Sequence, residues 1–361
     1  MEKKTKDLLL LLGLAGVGLA AYYSLRKKKV KSIASRPTAA LVSYPAHATA
    51  VTETKTTVSK SSLSGQPYLF KMKLDGFDRE FLVHVPKNYT GNTAVPLVFA
   101  FHGAGGNGAS FYKKSKWPEV GEANGFISVY PSGLVTCVGG EDARGRPSGT
   151  KSKWIPPSKA GSVCEGHRAQ DDVKFVRKML EAIQGRFAID PSRIYASGFS
   201  NGMGFVLQGI LKEMSDTFAA VGGVGSNLKA PMQLKGEPIP TAIFIGSMDP
   251  YFMPAAGGPL PTTLSSYARS GFISSTTGYF TNTLSLVQTG VESMDESKGG
   301  GQVVVATYNH PSVKSRGQKF MYGVMKGLDH VWPNGGRESK GITIAPALWN
   351  FFSQTENKRV A

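Results

Sequence analysis

Arg193-Ile-Tyr-Ala-Ser-Gly-Phe-Ser-Asn-Gly202 is the stretch that decides how this chain is read. It begins as a short apolar strand, runs into a G-x-S-x-G (Gly198 to Gly202), and opens a helical pattern over 201–214. Where a strand gives way to a helix in so few residues, the serine sits on a sharp turn with its hydroxyl thrust out above the sheet. Side chains at the two glycine positions would collide across such a turn. By itself the motif is weak, because glycine and serine are common in ordinary turns; the flanking strand and helix give it weight. Ser200 is the candidate nucleophile.

A serine nucleophile needs three further parts in constrained chain order. A loop supplying an oxyanion hole comes earlier, after a buried strand. His102-Gly-Ala-Gly-Gly-Asn107 follows the apolar run Pro96-Leu-Val-Phe-Ala-Phe101 and fits that place. Its glycines let the backbone turn an N–H toward a developing negative charge. The candidate donors are the N–H of Ala104, or of its neighbour Gly103, and that of Asn201 at the start of the helix. No G-K-[ST] follows and the spacing is not G-x-G-x-x-G, which disfavours a phosphate loop.

The acid and the base come later. Thr241-Ala-Ile-Phe-Ile-Gly246 reads as a buried strand, and Asp249 lies just beyond its carboxyl end, where open α/β sheets collect functional side chains. Asp-Pro is also a good turn starter, the plainer reading of Asp249-Pro250. Asp216, Asp295 and Asp329 follow no comparably strong strand. Only His310 and His330 come after Asp249 in the chain. His310 sits in a polar Asn-His-Pro turn, whereas His330 follows the strand-like run Phe320–Leu328, so His330 is the candidate base. An imidazole accepts the serine proton only when an acid holds its tautomer and stabilises the cation, the part assigned to Asp249.

Several motifs, taken in order, resemble a known family. They are Arg79-Glu-Phe-Leu-Val-His-Val-Pro86, the H-G-A-G-G-N loop, Val129-Tyr-Pro131, Asp171-Asp-Val173, Gly198-Phe-Ser-Asn-Gly-Met203, Phe218-Ala-Ala-Val221, Gly246-Ser-Met-Asp-Pro250 with Gly257-Gly258, and His330-Val-Trp-Pro333 with Gly335-Gly336. Across about residues 66 to 354 the chain resembles the α/β-hydrolase esterases grouped around poly(3-hydroxybutyrate) depolymerase-like and feruloyl or acetyl-xylan esterase-like enzymes. The resemblance implies an α/β-hydrolase fold and a serine esterase that needs no metal or organic cofactor. It implies Ser200 as nucleophile, Asp249 as acid and His330 as base. Short hydroxyalkanoate esters and carbohydrate-linked acyl or feruloyl esters are the substrates expected. Two stretches depart from such relatives. Pro259–Gly301, rich in Ser, Thr and Gly, is the place where a cap over the site could form, and 131–170 is idiosyncratic. A non-catalytic, membrane-tethered protein of the same fold that binds a surface glycan is the alternative, disfavoured by the complete triad.

The first 65 residues have a different character. Leu8–Leu25 is an uncharged run, about 27 Å long as a helix and close to a bilayer core. Lys3, Lys4 and Lys6 precede it and Arg26-Lys-Lys-Lys29 follows, so an uncleaved single-pass anchor over 1–31 is expected in preference to a signal peptide cleaved near Gly18-Leu-Ala20. The basic flank points to a cytoplasmic enzyme domain and the family resemblance to an extracytoplasmic one, which leaves the side of the membrane open. Residues 32–65, rich in Ser, Thr and Ala, read as a tether without enough apolar surface to order itself. The catalytic domain is expected over 66–361.

The net charge is +17, from 42 Lys+Arg against 25 Asp+Glu. Roughly half of the excess falls in the anchor and tether, where it favours anionic lipid. No nucleic-acid motif and no interleaving of basic and aromatic residues accompanies it, so no nucleic-acid partner is expected. Oligomeric state is left open. Cys137 and Cys164 are the only cysteines; they would form a disulfide in an oxidising compartment and stay free thiols in a reducing one. Trp332, beside His330, is a candidate for lining a substrate pocket and equally a candidate core residue. Strands near 68–74, 79–85, 96–101, 126–130, 193–197, 218–224, 241–246, 303–308 and 319–326 alternate with helices at 171–186, 201–214 and 342–353. That order predicts a mostly parallel sheet covered by helices on both faces.

Overall fold

The computed structural model describes residues 51–55, 66–139, 149–165, 169–228, 232–284, 286–296, 301–309 and 319–357. All belong to the unit Thr49–Ala361. The expected anchor, Leu8–Leu25, and most of the expected tether lie outside the described residues, as does His310. Among the described residues no helix is long and apolar enough to cross a membrane.

The strands, in chain order, are β1 (Val51–Lys55), β2 (Gln66–Leu74), β3 (Phe77–Val85), β4 (Val95–Phe101) and β5 (Ile127–Pro131). Next come β6 (Leu134–Cys137), β7 (Thr150–Lys153), β8 (Ile189–Phe199) and β9 (Ala220–Val224). The last are β10 (Thr241–Gly246), β11 (Val287–Glu296), β12 (Gly301–Asn309) and β13 (Lys319–Met325). Eleven of them form one sheet in the order β1-β2-β3-β5-β4-β8-β9-β10-β13-β12-β11. Its centre, from β5 through β13, is parallel, and antiparallel strands extend both edges.

Both faces of the parallel centre are buried, so β4 and β10 read as continuous apolar runs and β8 has a short one at Ile194–Ala196. Successive side chains on a strand point to opposite faces, and the core divides accordingly. Leu97, Phe99 and Phe101 of β4, with Ile243 and Ile245 of β10, enter one cluster. Val98 and Ala100, with Ala242 and Phe244, enter the other. The first face is covered by the helix Asp172–Gln184 through Val176, Met179 and Ile183, and by Ile273 and Phe280 of the helix Gly271–Leu284. Helices Gly108–Lys114, Trp117–Asn124 and Ile344–Phe352 cover the second face through Phe111, Trp117, Leu348 and Phe352. Each large apolar side chain buried this way contributes about 1.5–3 kcal/mol. The helix start read at Asp171 is its N-cap, the carboxylate accepting the Lys174 N–H at 2.8 Å.

Two expectations need correction. Val51–Lys55, assigned to the tether, pairs antiparallel with β2, from Val51 opposite Met72 to Lys55 opposite Tyr68. An edge strand is held through its backbone ladder and needs no apolar stripe, which is why the polar composition was misleading. Among the described residues, the stretch after the acid forms no separate cap. Its helices Leu264–Arg269 and Gly271–Leu284 join the layer on the first face, with the Tyr267 hydroxyl donating to the Tyr322 carbonyl at 2.8 Å.

Candidate active site

The chain runs from β4 to β5 on one side and then returns to place β8 on β4's other flank. At such a reversal the loops leaving two adjacent parallel strands diverge and open a crevice at the strands' carboxyl ends. Phe101 pairs with Gly198 at that point, so the loops carrying His102 and Ser200 emerge side by side.

Ser200 has φ 54° and ψ −119°, a backbone conformation that L-residues rarely adopt. The turn requires both motif glycines. A Cβ on Gly198 would lie 2.6 Å from the Gly202 backbone, and one on Gly202 would run into the carbonyls of Phe101 and His102. The Ser200 N–H is held by the Val224 carbonyl at 2.8 Å. After this turn the helix Asn201–Phe205 widens into a π-helical turn over Val206–Leu211.

The structure brings Ser200, His330 and Asp249 into one hydrogen-bonded chain. Ser200 Oγ lies 2.7 Å from His330 Nε2, and His330 Nδ1 lies 2.7 Å from Asp249 Oδ2. Asp249 is buried and its other oxygen accepts the Tyr251 N–H at 2.9 Å, leaving Oδ2 for the imidazole. With the carboxylate accepting from Nδ1–H, Nε2 faces the serine hydroxyl as an acceptor. Asp329 accepts the His330 backbone N–H at 2.6 Å.

Asp249 and His330 are 81 residues apart yet leave neighbouring parallel strands, β10 and β13. Backbone bonds zip the two loops together: Ser247 N–H to Met325 O at 2.8 Å and Met248 N–H to Leu328 O at 2.9 Å. Ser247 Oγ also accepts the Gly327 N–H at 2.8 Å. The imidazole is walled by the rings of Tyr251, at 4.5 Å between centroids, and Phe199, at 5.1 Å.

The His102–Asn107 loop lies against the serine; a Cβ on Gly103 would be 3.3 Å from the Ser200 Cβ. Among the described residues no protein acceptor takes the N–H of Gly103, Ala104 or Asn201. His102 is buried and fixed in one tautomer: Nε2 accepts the Gly133 N–H at 2.9 Å, so Nδ1 carries the proton and donates to the Gly103 carbonyl at 2.7 Å. Burial pushes its pKa down to about 4, so the ring is neutral.

The 131–170 region proves to be part of this site. β6 and β7 form a separate hairpin, and Cys137 and Cys164 are joined in a disulfide with Cα atoms 5.4 Å apart. Trp154, just past β7, is fully buried and bonds to both His102 and Asn201. Sequence reasoning missed Trp154 and Tyr251; the only signal for the first was a tryptophan inside a segment otherwise rich in Gly, Pro, Ser and Lys. Trp332 stands open between pocket and core in the sequence, and the structure gives it the packing of a core residue. It is buried, donates its indole N–H to the Ser115 carbonyl at 3.0 Å and packs edge-on to Phe111 and to Phe199. Among the described residues no group of three or more His, Cys, Asp or Glu is arranged to hold a metal ion.

Fold and site define an esterase-like α/β protein with a Ser–His–Asp chain above the carboxyl ends of a mostly parallel sheet. No family model matches the chain. Its curated relatives include esterases of the group that the motifs resemble. It is 28% identical over 145 residues to poly(3-hydroxyalkanoate) depolymerase C of Paucimonas lemoignei, covering 40% of this chain and 31% of that protein. It is 30% identical over 158 residues to a probable feruloyl esterase C of Aspergillus flavus, covering 43% and 50%. The chain thus spans about a third to a half of the length of these relatives. Among solved structures, an S-formylglutathione hydrolase from Agrobacterium tumefaciens shares the fold, with a TM-score of 0.50 and 13% identity over 84% of this chain and 99% of that one.

Proposed function

We propose that the protein is an α/β-hydrolase-fold serine esterase that cleaves carboxylic esters through an acyl-enzyme. The observation that carries this reading is the unbroken chain Ser200 Oγ, His330, Asp249, with 2.7 Å at each step. Ser200 attacks the ester carbonyl as its proton passes to His330 Nε2, and the imidazolium is stabilised by Asp249. The carbonyl oxygen, now an anion, takes hydrogen bonds from the N–H of Asn201 and of Ala104 or Gly103. His330 returns the proton to the leaving alcohol, then draws one from a water that attacks the acyl group and frees Ser200.

Relatives named as a poly(3-hydroxyalkanoate) depolymerase and a feruloyl esterase support two substrate classes, short hydroxyalkanoate esters and carbohydrate-linked aromatic acyl esters. A single-pass anchor at Leu8–Leu25 completes the reading, and membrane fractionation of the full chain against a variant lacking 1–31 tests it. The activity is tested with the full-length protein on p-nitrophenyl acetate and butyrate beside Ser200→Ala. Turnover in the wild type that falls by about 10⁶ in the variant supports the proposal. Equal turnover in both would remove Ser200 from the mechanism.

A further inference from the structure

We infer that Trp154 is a positioning residue that sets both halves of the oxyanion hole at once, an inference that rests on the esterase reading above. The two donors come from separate places in the chain. Gly103 and Ala104 sit on the loop after β4, and Asn201 sits on the first helical residue after the nucleophile. The pairing of Phe101 with Gly198 brings the two elements side by side but leaves the direction of each N–H to be set. Trp154 spans them with three hydrogen bonds. Its indole N–H donates to the His102 carbonyl at 2.9 Å. Its backbone N–H donates to Asn201 Oδ1 at 2.8 Å, and its carbonyl accepts from Asn201 Nδ2 at 3.1 Å.

The Asn201 carboxamide therefore makes a two-point clamp, which fixes the plane of the side chain and with it the direction of the N–H beside it. The His102 carbonyl belongs to the same peptide group as the Gly103 N–H. Holding that carbonyl from one side orients the N–H on the other, because the peptide unit is planar.

Trp154 is itself held firmly. Its ring is edge-on to Phe101, at 5.1 Å between centroids, and stacked on Phe205 at 5.7 Å. On one flank, the Ser152 carbonyl accepts the Gly105 N–H at 2.8 Å and Ser152 Oγ donates to the Gly106 carbonyl at 2.6 Å, tying β7 to the rest of the same loop. On the other flank, the Ile155 N–H donates to Asp172 Oδ2 at 2.7 Å. Asp172 is fully buried and paired with Arg79 at 2.7 Å, so this flank is fixed to the body of the fold. Hydrogen-bond donors contribute to catalysis to the extent that they are already aimed at the anion before it forms. Trp154 supplies that aim, and touches no substrate itself.

The test separates alignment from packing. Trp154→Phe keeps one ring between Phe101 and Phe205 and deletes the indole N–H together with part of the indole's volume. Asn201→Ala keeps the backbone N–H of residue 201 and deletes the clamp. Kinetics on p-nitrophenyl butyrate are measured with the full-length chain, together with the affinity for butylboronic acid, which becomes a tetrahedral anion on the serine, and for butyrate. In each variant kcat falls by about 10- to 100-fold, a fraction of the 10²–10³ lost when a donor is removed outright. The boronate affinity falls by a similar factor, while KM and the butyrate affinity stay within about threefold. The inference is overturned if kcat and boronate affinity remain within twofold of wild type. It is equally overturned if KM and butyrate affinity worsen while kcat holds, the signature of a packing role. If Trp154→Phe does not fold, Asn201→Ala decides alone. A folded wild type that neither turns over nor is labelled at Ser200 by a fluorophosphonate would bring down the esterase reading, and this inference with it.

Discussion

The two sides of the candidate site are built by different means. Asp249 and His330 stand on loops that directly extend adjacent parallel strands, and backbone bonds between those loops fix their separation. The His102 loop and Asn201 are held mainly from outside the sheet, by Ser152, Trp154 and the Gly133 N–H. On the proposed mechanism, proton transfer is positioned by the sheet itself, whereas the pocket for the anion is braced by a polar hairpin region. Perturbing the hairpin should therefore weaken stabilisation of the anion and leave the proton path in place.

After the loss of Ser200 itself, the largest effect expected lies on the first side. Asp249→Asn preserves the shape but offers an amide where the imidazole needs a carboxylate. It should lower kcat by roughly 10⁴ without altering the melting temperature by more than a few degrees. A loss below tenfold, measured on p-nitrophenyl butyrate, would mean that Asp249 does not serve His330.

The disulfide sharpens the contrast from the other side. Cys137 and Cys164 are 27 residues apart, and closing a loop of that size contributes about 3–4 kcal/mol. The double variant Cys137→Ser/Cys164→Ser should show that loss in urea unfolding. Its residual activity should fall through kcat, with the rate still depending on His330 as in the wild type. An unchanged urea midpoint would show that the region is held without the bond.

Acidification offers a comparable or slightly smaller effect. Burial lowers the pKa of His102 from 6.5 to about 4, so the folded protein holds the neutral ring. Because the folded value is the lower one, this stabilisation is full above pH 6.5 and is lost as the pH falls from there toward about 4. The loss should reach on the order of 3 kcal/mol in denaturant unfolding. Protonation also removes the acceptor for the Gly133 N–H. His102→Gln should flatten the profile in that window, and an equally steep profile in the variant would assign the titration to another group.

The same contrast explains what could be read from the sequence. β4 and β10 are continuous apolar runs, β13 is nearly so after Lys319, and β8 carries a short apolar stretch at Ile194–Ala196, because both faces of the sheet are buried there; Ser200, Asp249 and His330 lie just past these stretches. The His102 loop was legible in the same way, past β4, but the hairpin region that braces it offered no such signal. Thr150-Lys-Ser-Lys153 has no apolar alternation, since the hairpin lies outside the main sheet, and the partners of Trp154 are 47 and 52 positions away. For Trp332 the sequence offered nothing to choose between pocket and core; two residues past His330 the chain has already turned back into the core. The helix Gly271–Leu284 was hidden by its serines and threonines. In the fold several of these satisfy their hydroxyls on carbonyls of the preceding turn, Thr277 on Ile273 at 2.8 Å and Thr283 on Tyr279 at 2.6 Å.

The backbone of Ser200 carries one more consequence. A non-glycine residue at φ 54°, ψ −119° costs the folded state about 1–3 kcal/mol. Glycine would relieve much of that cost, so Ser200→Gly should give a more stable and inert protein. A sequence under selection for stability alone would drift toward glycine at this position. Serine at position 200 is a departure from the stability optimum, the kind of trade expected where a hydroxyl is in use.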